Sequence, residues 1–414
     1  MSQGGETNGG TARPGTGRRS VLIRVFQVTA VVIAVVLVAG SLTAYLTFRS
    51  VWTSITRIPV TGLGPQPPKF SNAMNVLLIG SDSRAGANRK FGKHVTGQRS
   101  DTIIILHLSP HHRGVVVLSI PRDSVVPVLS CPPSAGSPGQ TAQPGQVEQI
   151  NATFAAGGPG CLWKTIEQTT HLHLDHFIQL TFTGFEKVID DVGGVSICLP
   201  FPVNDPLSNL HLSKGRHHVW GREALAFWRA RYIGEGSDLQ RIRRDQYLMA
   251  SVLQGVERTS LTSSPSRLFS VISDAAKSMT TDSGLSLPTM VGILDSLRHL
   301  RPREVQFVEL PTVPYTGNPD WVSWPASDAA LFSALAHDQA VRPAMRTIRR
   351  LAPAGSAAPA STGRPASTGT SPAPAPTPSP SSSPGGLAKT YGGITGSTNI
   401  CHDSGAFSGP RGGS

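Results

Sequence analysis

NVLLIGSDSR (Asn75–Arg84), QRSDTIIILHL (Gln98–Leu108) and VVVLSIPRD (Val115–Asp123) are three apolar runs, each adjoining Asp and Arg residues. The runs are short, β-branched and nearly unbroken, the pattern of strands buried on both faces. The acids and arginines then collect at one rim of a sheet. Asp82 and Asp101 present hard oxygens of the kind that hold a divalent cation. Arg84, Arg99 and Arg122 carry the planar fork that grips phosphate in bidentate fashion. Acids alternating with arginines suit a metal-bridged pyrophosphate better than a general anion site. Strand-end ion pairs are the plain alternative, and each is worth little. For one Asp–Arg pair that alternative is favoured; for three clusters together the site is.

Working outward, Ser109–Gly114 is a short turn, so the second and third runs form a hairpin. Ile150–Thr170 has helical spacing interrupted by GGPG (Gly157–Gly160), and His176–Leu180 reads as a strand. Phe182–Asp191 reads as a helix stopped by Gly193-Gly194, followed by a strand over Val195–Leu199. Gly221–Tyr232 and Leu239–Glu257 read as helices. Residues 265–300 suggest two more, Val305–Leu310 a strand and Asp328–Ala336 a short helix. Strands alternate with helices, so the expected fold is α/β, a mixed sheet covered by helices.

The chain has 414 residues and a formal net charge of +12. The basic residues are scattered and no stacking aromatics interleave with them, which argues against a nucleic-acid partner. Val25–Phe48 is an uncharged apolar run long enough to cross a bilayer. Arg13, Arg18, Arg19 and Arg24 precede it, which favours a cytoplasmic N-terminus and an extracytoplasmic remainder. The run is too long for a typical signal-peptide core, and Thr43-Ala44-Tyr45 is a poor cleavage signal. Outside the cell the arginine cluster at 229–244 has a lipid phosphate or the bilayer surface as its natural anionic partner. Cys131, Cys161, Cys198 and Cys401 can pair in three ways there, and Cys131 suits either Cys161 or Cys198.

In order, GSDSR (Gly80–Arg84), RSDTI (Arg99–Ile103) and PRD (Pro121–Asp123) resemble motifs of the LytR–CpsA–Psr family of bacterial envelope proteins. The resemblance continues through QINATFAAGG (Gln149–Gly158), FTGFEKVIDDVGGV (Phe182–Val195), GREALAFWRARY (Gly221–Tyr232) and GSDLQRIRRDQ (Gly236–Gln246). It covers roughly residues 73–254. Any one motif is weak; seven in order behind an N-terminal anchor are specific. The long C-terminal part and its Pro-rich tether fit actinobacterial members.

The resemblance implies a three-layer α/β/α sandwich with a central mixed sheet, preceded by one transmembrane helix. It implies an enzyme, a metal-dependent phosphotransferase that moves a glycopolymer from a polyprenyl-pyrophosphate carrier to peptidoglycan and releases polyprenyl phosphate. A pyrophosphatase side reaction is compatible with it. The resemblance assigns Asp82 and Asp101 to Mg²⁺ or Mn²⁺. It makes Arg84, Arg99, Arg122, Arg229, Arg231, Arg244 and Gln246 the pyrophosphate-binding set. Asp82, Asp101, Arg122 and Asp123 are the expected catalytic residues, and Asp123 and Asp238 the candidate general bases. Asp123 has a competing role in orienting Arg122, and Asp238 in capping the following helix. Arg243 is expected to face outward, and His107, His111 and His112 to lie at the surface. Phe154–Ile166, Phe177–Phe185 and Leu248–Val252 would wall a lipid channel or make a plain core.

The expected segments are a disordered cytoplasmic tail (1–23), a transmembrane helix (24–48) and an extracytoplasmic stalk (49–70). Then follow a catalytic domain (71–254), a helical extension packed on it (255–345), a Pro/Ser/Thr/Ala-rich linker (346–389) and a tail (390–414). The chain departs from the family pattern at Gln149, at Arg222-Glu223 and at Asp245, where Lys, Gln and Gln are common. Two other classes compete with the enzyme: a non-catalytic polyprenyl-phosphate-binding scaffold, and a membrane-tethered transcriptional regulator. The regulator needs a cytoplasmic DNA-binding domain, for which the residues before the span are too few. The glycopolymer itself, teichoic acid or another, is not legible.

Overall fold

The computed structural model describes residues 16–81, 100–110, 114–127, 129–131, 147–230, 233, 238–258, 265–298, 300–344 and 390–398. In chain order the elements are α1 (Thr16–Ser54), β1 (Thr56–Ile58), β2 (Met74–Ser81), β3 (Ser100–Leu108), β4 (Val115–Ile120), β5 (Val125–Pro127), β6 (Val147–Gln149), α2 (Ile150–Thr170), β7 (His176–Thr181), α3 (Phe182–Val192), β8 (Val195–Leu199), β9 (Val203–Asp205), β10 (Leu210–Leu212), β11 (Gly215–Val219), α4 (Gly221–Arg229), α5 (Asp238–Arg258), α6 (Pro265–Lys277), β12 (Met279–Asp282), α7 (Leu287–Arg298), β13 (Val305–Glu309), β14 (Val313–Tyr315), β15 (Asn318–Ser323), α8 (Ala329–Ala336), β16 (Arg342–Ala344) and β17 (Thr390–Thr395).

α1 forms one unit with the residues before it, and everything from Thr56 onward forms the other. Within α1, Val25–Ser54 is long and apolar enough to cross a membrane. At 1.5 Å rise per residue it spans about 45 Å, more than the roughly 30 Å of a bilayer's hydrocarbon core. The helix begins at Thr16, inside the stretch expected to be an unstructured tail.

Among the described residues the second unit is built on a nine-stranded sheet in the order β1-β12-β7-β2-β3-β4-β13-β17-β16. The sheet is mixed: β2, β3 and β4 run antiparallel in succession, while β7 is parallel to β2 and β13 is parallel to β4. The alternation of side chains explains the unbroken apolar runs. Leu77, Ile79, Ile103, Ile105, Val116 and Leu118 pack with Phe154, Leu162 and Ile166 of α2 and with Leu331 and Leu335 of α8. Val76, Ile104, Val115 and Val117 face the other way, onto Ala250 of α5 and Ile293 of α7. Two covered faces make the three layers that the sequence predicts.

α2 carries its GGPG stretch as a kink: Gly158 has φ 67° and ψ −160°, and Pro159 lies inside the helix. Pro159 lacks the N–H that the helix ladder needs, and only glycine adopts that Gly158 conformation without strain. Cys161, one step on, is bonded to Cys131. Cys198 is also disulfide-bonded.

Several segment expectations differ from the structure. Residues 49–70 are not a free stalk. Thr56–Ile58 is an edge strand parallel to β12, and Gln66 Nε2 donates to Glu167 Oε1 at 3.1 Å. A three-residue strand is too short to show periodicity. Residues 255–345 do not form a helical extension, because β12 and β13 are strands of the central sheet. Within residues 390–414, Thr390–Thr395 pairs with β13 and β16. In each case the partners are remote in sequence, so local pattern carries no sign of the pairing. His107 is buried rather than at the surface, with Nδ1 2.7 Å from Asn75 Oδ1 and Nε2 3.2 Å from Asp338 Oδ1. His111 and His112 lie outside the described residues.

Candidate active site at the rim of the sheet

The β3–β4 ladder pairs Ile103 with Ile120. Two residues further along each chain stand Asp101 and Arg122, and Arg122 Nη1 donates to Asp101 Oδ1 at 2.7 Å. Arg122 Nε lies 3.3 Å from Asp238 Oδ1 and 3.7 Å from Asp123 Oδ2, as ion pairs without hydrogen-bond geometry. Asp238 opens α5, and Arg241, one turn on, places Nη2 3.8 Å from Asp101 Oδ2. Gln149, at the end of β6, donates from Nε2 to Asp123 Oδ1 at 2.8 Å. Four separate segments thus converge, and sheet register and helix placement bring them together.

The electrostatics follow from burial and these neighbours. Burial works against the Arg122 charge, but Asp238, Asp101 and Asp123 outweigh it, and its pKa is raised. Burial, reinforced by Asp123, pushes the Asp238 carboxyl up to about 6 despite the pull of Arg122 and Arg241. Asp245 lies deeper on α5, and burial pushes it up to about 7 against Arg241, Trp228 and Arg244. Arg241 is buried, and its Nε and Nη1 have no hydrogen-bond partner among the described residues. Buried guanidinium donors left unsatisfied are costly. Two such donors beside Arg122, at a rim of the sheet, are poised for an anion.

The expected residues divide into three groups. Asp101, Arg122 and Asp123 are brought together, with Asp238. Asp82, Arg84, Arg99 and Arg231 lie outside the described residues. Arg229, Arg244 and Gln246 are placed differently. α4 ends at Arg229, short of the expected Tyr232, and the Arg229 guanidinium stands over the Phe182 ring at 5.1 Å. Arg244 donates to the carbonyls of Ala230 and Ile233 at 2.9 and 3.1 Å, closing the chain after α4, and burial lowers its pKa. Gln246 is buried and donates to Ser119 Oγ at 3.3 Å. Arg243 pairs with Glu309 at 3.0 Å. Arg241 is the residue that the sequence reading left out of the site. Its signal was present in the spacing Asp238–Arg241–Arg244, which repeats every three residues and so follows one helix face.

Among the described residues no group of three or more His, Cys, Asp or Glu side chains converges as a closed metal cage would require. The donor chemistry of Asp101 does fit magnesium, which takes one or two carboxylates and fills its shell with phosphate oxygens and water. The apolar residues considered for a lipid channel are packed core here: Phe154, Leu162, Ile166 and Phe177 in one cluster, Phe185, Leu248 and Val252 in another. Trp228 fits against β2 because Gly80 has no side chain; a Cβ there would lie 3.2 Å from the indole.

A model of the LytR_cpsA_psr family matches residues 57–331. The protein named "Probable cell wall biosynthesis protein LcpB", of Corynebacterium glutamicum, is 34% identical over 216 residues, which are 51% of this chain and 48% of LcpB. The chain thus spans about half the length of that relative. The polyisoprenyl-teichoic acid–peptidoglycan teichoic acid transferase TagU of Bacillus cereus is 27% identical over 264 residues, 61% of this chain and 78% of TagU. Among solved structures, a LytR-Csp2A-Psr enzyme from Actinomyces oris has the same fold, with a TM-score of 0.52 at 22% identity over 68% of this chain and 96% of that one. The family match takes in well over half of the chain and all of the rim cluster, and the chain belongs to the LytR_cpsA_psr family.

Proposed function

We propose that this chain is a membrane-anchored phosphotransferase that moves a glycopolymer from a polyprenyl-pyrophosphate carrier to peptidoglycan. The observation that carries the reading is the pair Arg122, half-buried, and Arg241, buried, whose guanidinium groups stand among Asp101, Asp123 and Asp238 with donors left over on Arg241. In the reaction a sugar hydroxyl attacks the phosphorus that bears the glycopolymer. The bond from that phosphorus to the bridging oxygen breaks, polyprenyl phosphate leaves, and a phosphodiester to the wall forms. Asp238, with its carboxyl near 6, is the group best matched to take the hydroxyl proton at neutral pH. Arg122 and Arg241 stabilise the charge that builds on the phosphoryl oxygens. Mg²⁺ or Mn²⁺ held by Asp101 and Asp82 would screen the pyrophosphate. Water in place of the sugar gives the pyrophosphatase side reaction. The apolar part of α1 keeps the chain on the membrane that holds the carrier, with the second unit outside and the N-terminus in the cytoplasm. The named activity of TagU, a relative over most of its own length, supports the same reaction class.

The test is release of polyprenyl phosphate from a short polyprenyl-pyrophosphoryl sugar by the full chain in detergent, with and without Mg²⁺. Metal-dependent release that falls about 100-fold or more in Arg122→Ala and in Asp101→Asn is expected. Saturable lipid binding with no release would favour the non-catalytic scaffold instead.

A further inference from the structure

A sizeable cavity bounded by described residues lies apart from the Arg122 cluster. It holds about 490 Å³ and lies between the end of α2, the segment after β15, and α8. That is within the roughly 300–1,000 Å³ of small-molecule sites. Its walls include the rings of Phe70, Trp324, Phe332 and His337. Phe70 stacks on His337 with centroids 4.6 Å apart, and Trp324 leans on Phe332 at 5.7 Å. Trp324 Nε1 donates to Ser124 Oγ at 2.8 Å, which fixes the indole.

One carboxylate also lines this cavity, and the fold does not use it. Asp328 is 2% exposed, and neither of its carboxylate oxygens has a hydrogen-bond partner among the described residues. It stands at the N-cap of α8 yet makes no capping bond. Burial pushes its carboxyl up to about 6, and the adjoining Ser327 hydroxyl pulls the other way without meeting hydrogen-bond geometry. A buried polar group with no partner costs stability, so its retention points to a ligand.

The cavity is also tied to the rim cluster. Val125 lines it, and Arg122 is three residues earlier. An extended chain covers at most about 11 Å in three residues. Val322 N donates to Asp123 O at 3.1 Å, so the β14–β15 hairpin is joined to the same segment.

We infer that this cavity is a subsite for a pyranose ring of a glycan chain. The ring's apolar C–H face lies against Phe70 and Trp324, and its hydroxyls bond the Asp328 carboxyl. Rings alone would accept any apolar ligand, and a carboxylate alone would prefer an amine. A neutral ligand with one apolar face and several hydroxyls satisfies both. The role of this subsite, holding the acceptor strand, rests on the transfer reaction proposed above; its ligand chemistry does not.

The test is calorimetric titration of chitotetraose into the full chain in detergent, beside Asp328→Ala and Phe70→Ala. Phe70 is 57% exposed, so its truncation leaves the core intact. Asp328→Ala removes an unsatisfied group, so its melting temperature should hold or rise, which a merely structural carboxylate would not allow. Saturable binding that weakens about tenfold or more in both variants is expected. No saturable binding, unchanged affinity in either variant, or tighter binding of a quaternary amine such as choline overturns the inference. The titration contains no lipid donor, so its failure leaves the pyrophosphate chemistry standing, and loss of that chemistry leaves the titration valid.

Discussion

Arg122 and Asp101 meet at 2.7 Å just past the end of the β3–β4 ladder, Asp101 two residues before Ile103 and Arg122 two residues after its partner Ile120. Their contact is therefore a consequence of strand register. A slip by one residue would also turn the apolar residues of β3 to the wrong face, which the two covered faces of the sheet forbid. The register that builds the core builds the site.

Arg241 separates stability from function. Its Nε and Nη1 are buried without hydrogen-bond partners among the described residues, and only Nη2 faces a carboxylate, Asp101 at 3.8 Å, so the site holds more guanidinium donors than the free fold satisfies. Arg241→Met should leave the melting temperature unchanged or raise it, while Asp238 and Asp245 take up protons. Inorganic pyrophosphate should raise the melting temperature of the parent chain, and the same variant should lose that gain. Melts with and without pyrophosphate read both effects; a large loss of stability without ligand would contradict the assignment.

Asp245 gives a pH dependence of definite sign. Burial raises its folded pKa to about 7, above its ordinary value, so the folded chain holds a proton that the unfolded chain has lost. Its contribution is fully present below the unfolded pKa and is lost as pH rises from about 4 to about 7. Asp245→Asn keeps the shape without the titration. Relative to the parent, the Asn variant should gain stability across that window, by about 4 kcal/mol at most. Denaturant titrations at several pH values measure the difference, and a flat difference would exclude this role.

The Cys131–Cys161 bond closes a segment with a sequence separation of 30 and anchors the loop before β6 to the kinked helix α2. Chain-entropy reasoning gives about 3–4 kcal/mol for a loop of this size. The double variant Cys131→Ser, Cys161→Ser should lower the denaturant midpoint accordingly, with an unchanged slope. A change near zero would mean that the loop is already constrained in the unfolded chain.

Gly221 marks a close approach of α4 to α3. A Cβ there would stand 2.0 Å from the carbonyl oxygen of Glu186, and the Gly221 N–H donates to Asp190 Oδ1 at 2.7 Å. Gly221→Ala must push α3 and α4 apart, at a cost of about 3 kcal/mol or more. A thermal melt of the variant checks this; an unshifted melting temperature would show that the helices separate freely.

Much of the architecture was readable along the chain because its causes are local. The buried runs at Asn75, Thr102 and Val115, the glycine stop after α3 and the break in α2 all declare themselves within a few residues. Periodicity and turn chemistry act at that range. The long apolar helix was equally plain, since about 20 consecutive apolar residues are long enough to cross a membrane. That Asp101 and Asp123 gather at Arg122 was foreshadowed by motif order.

What the tertiary structure alone decided depends on long-range pairing. Thr56–Ile58, Met279–Asp282 and Thr390–Thr395 join the sheet only because remote strands offer them edges. The split between Arg241 and Arg244, identical in type and three residues apart, is set by what each meets: an aspartate at the rim for one, carbonyls after α4 for the other. The raised pKa values of Asp238 and Asp245 come from burial, which no local pattern encodes. The cavity beside Asp328 draws its walls from four stretches far apart in the chain, so composition could not announce it. Sequence determines which residues can form strands, helices and charges; packing decides which of those charges face one another without water between them.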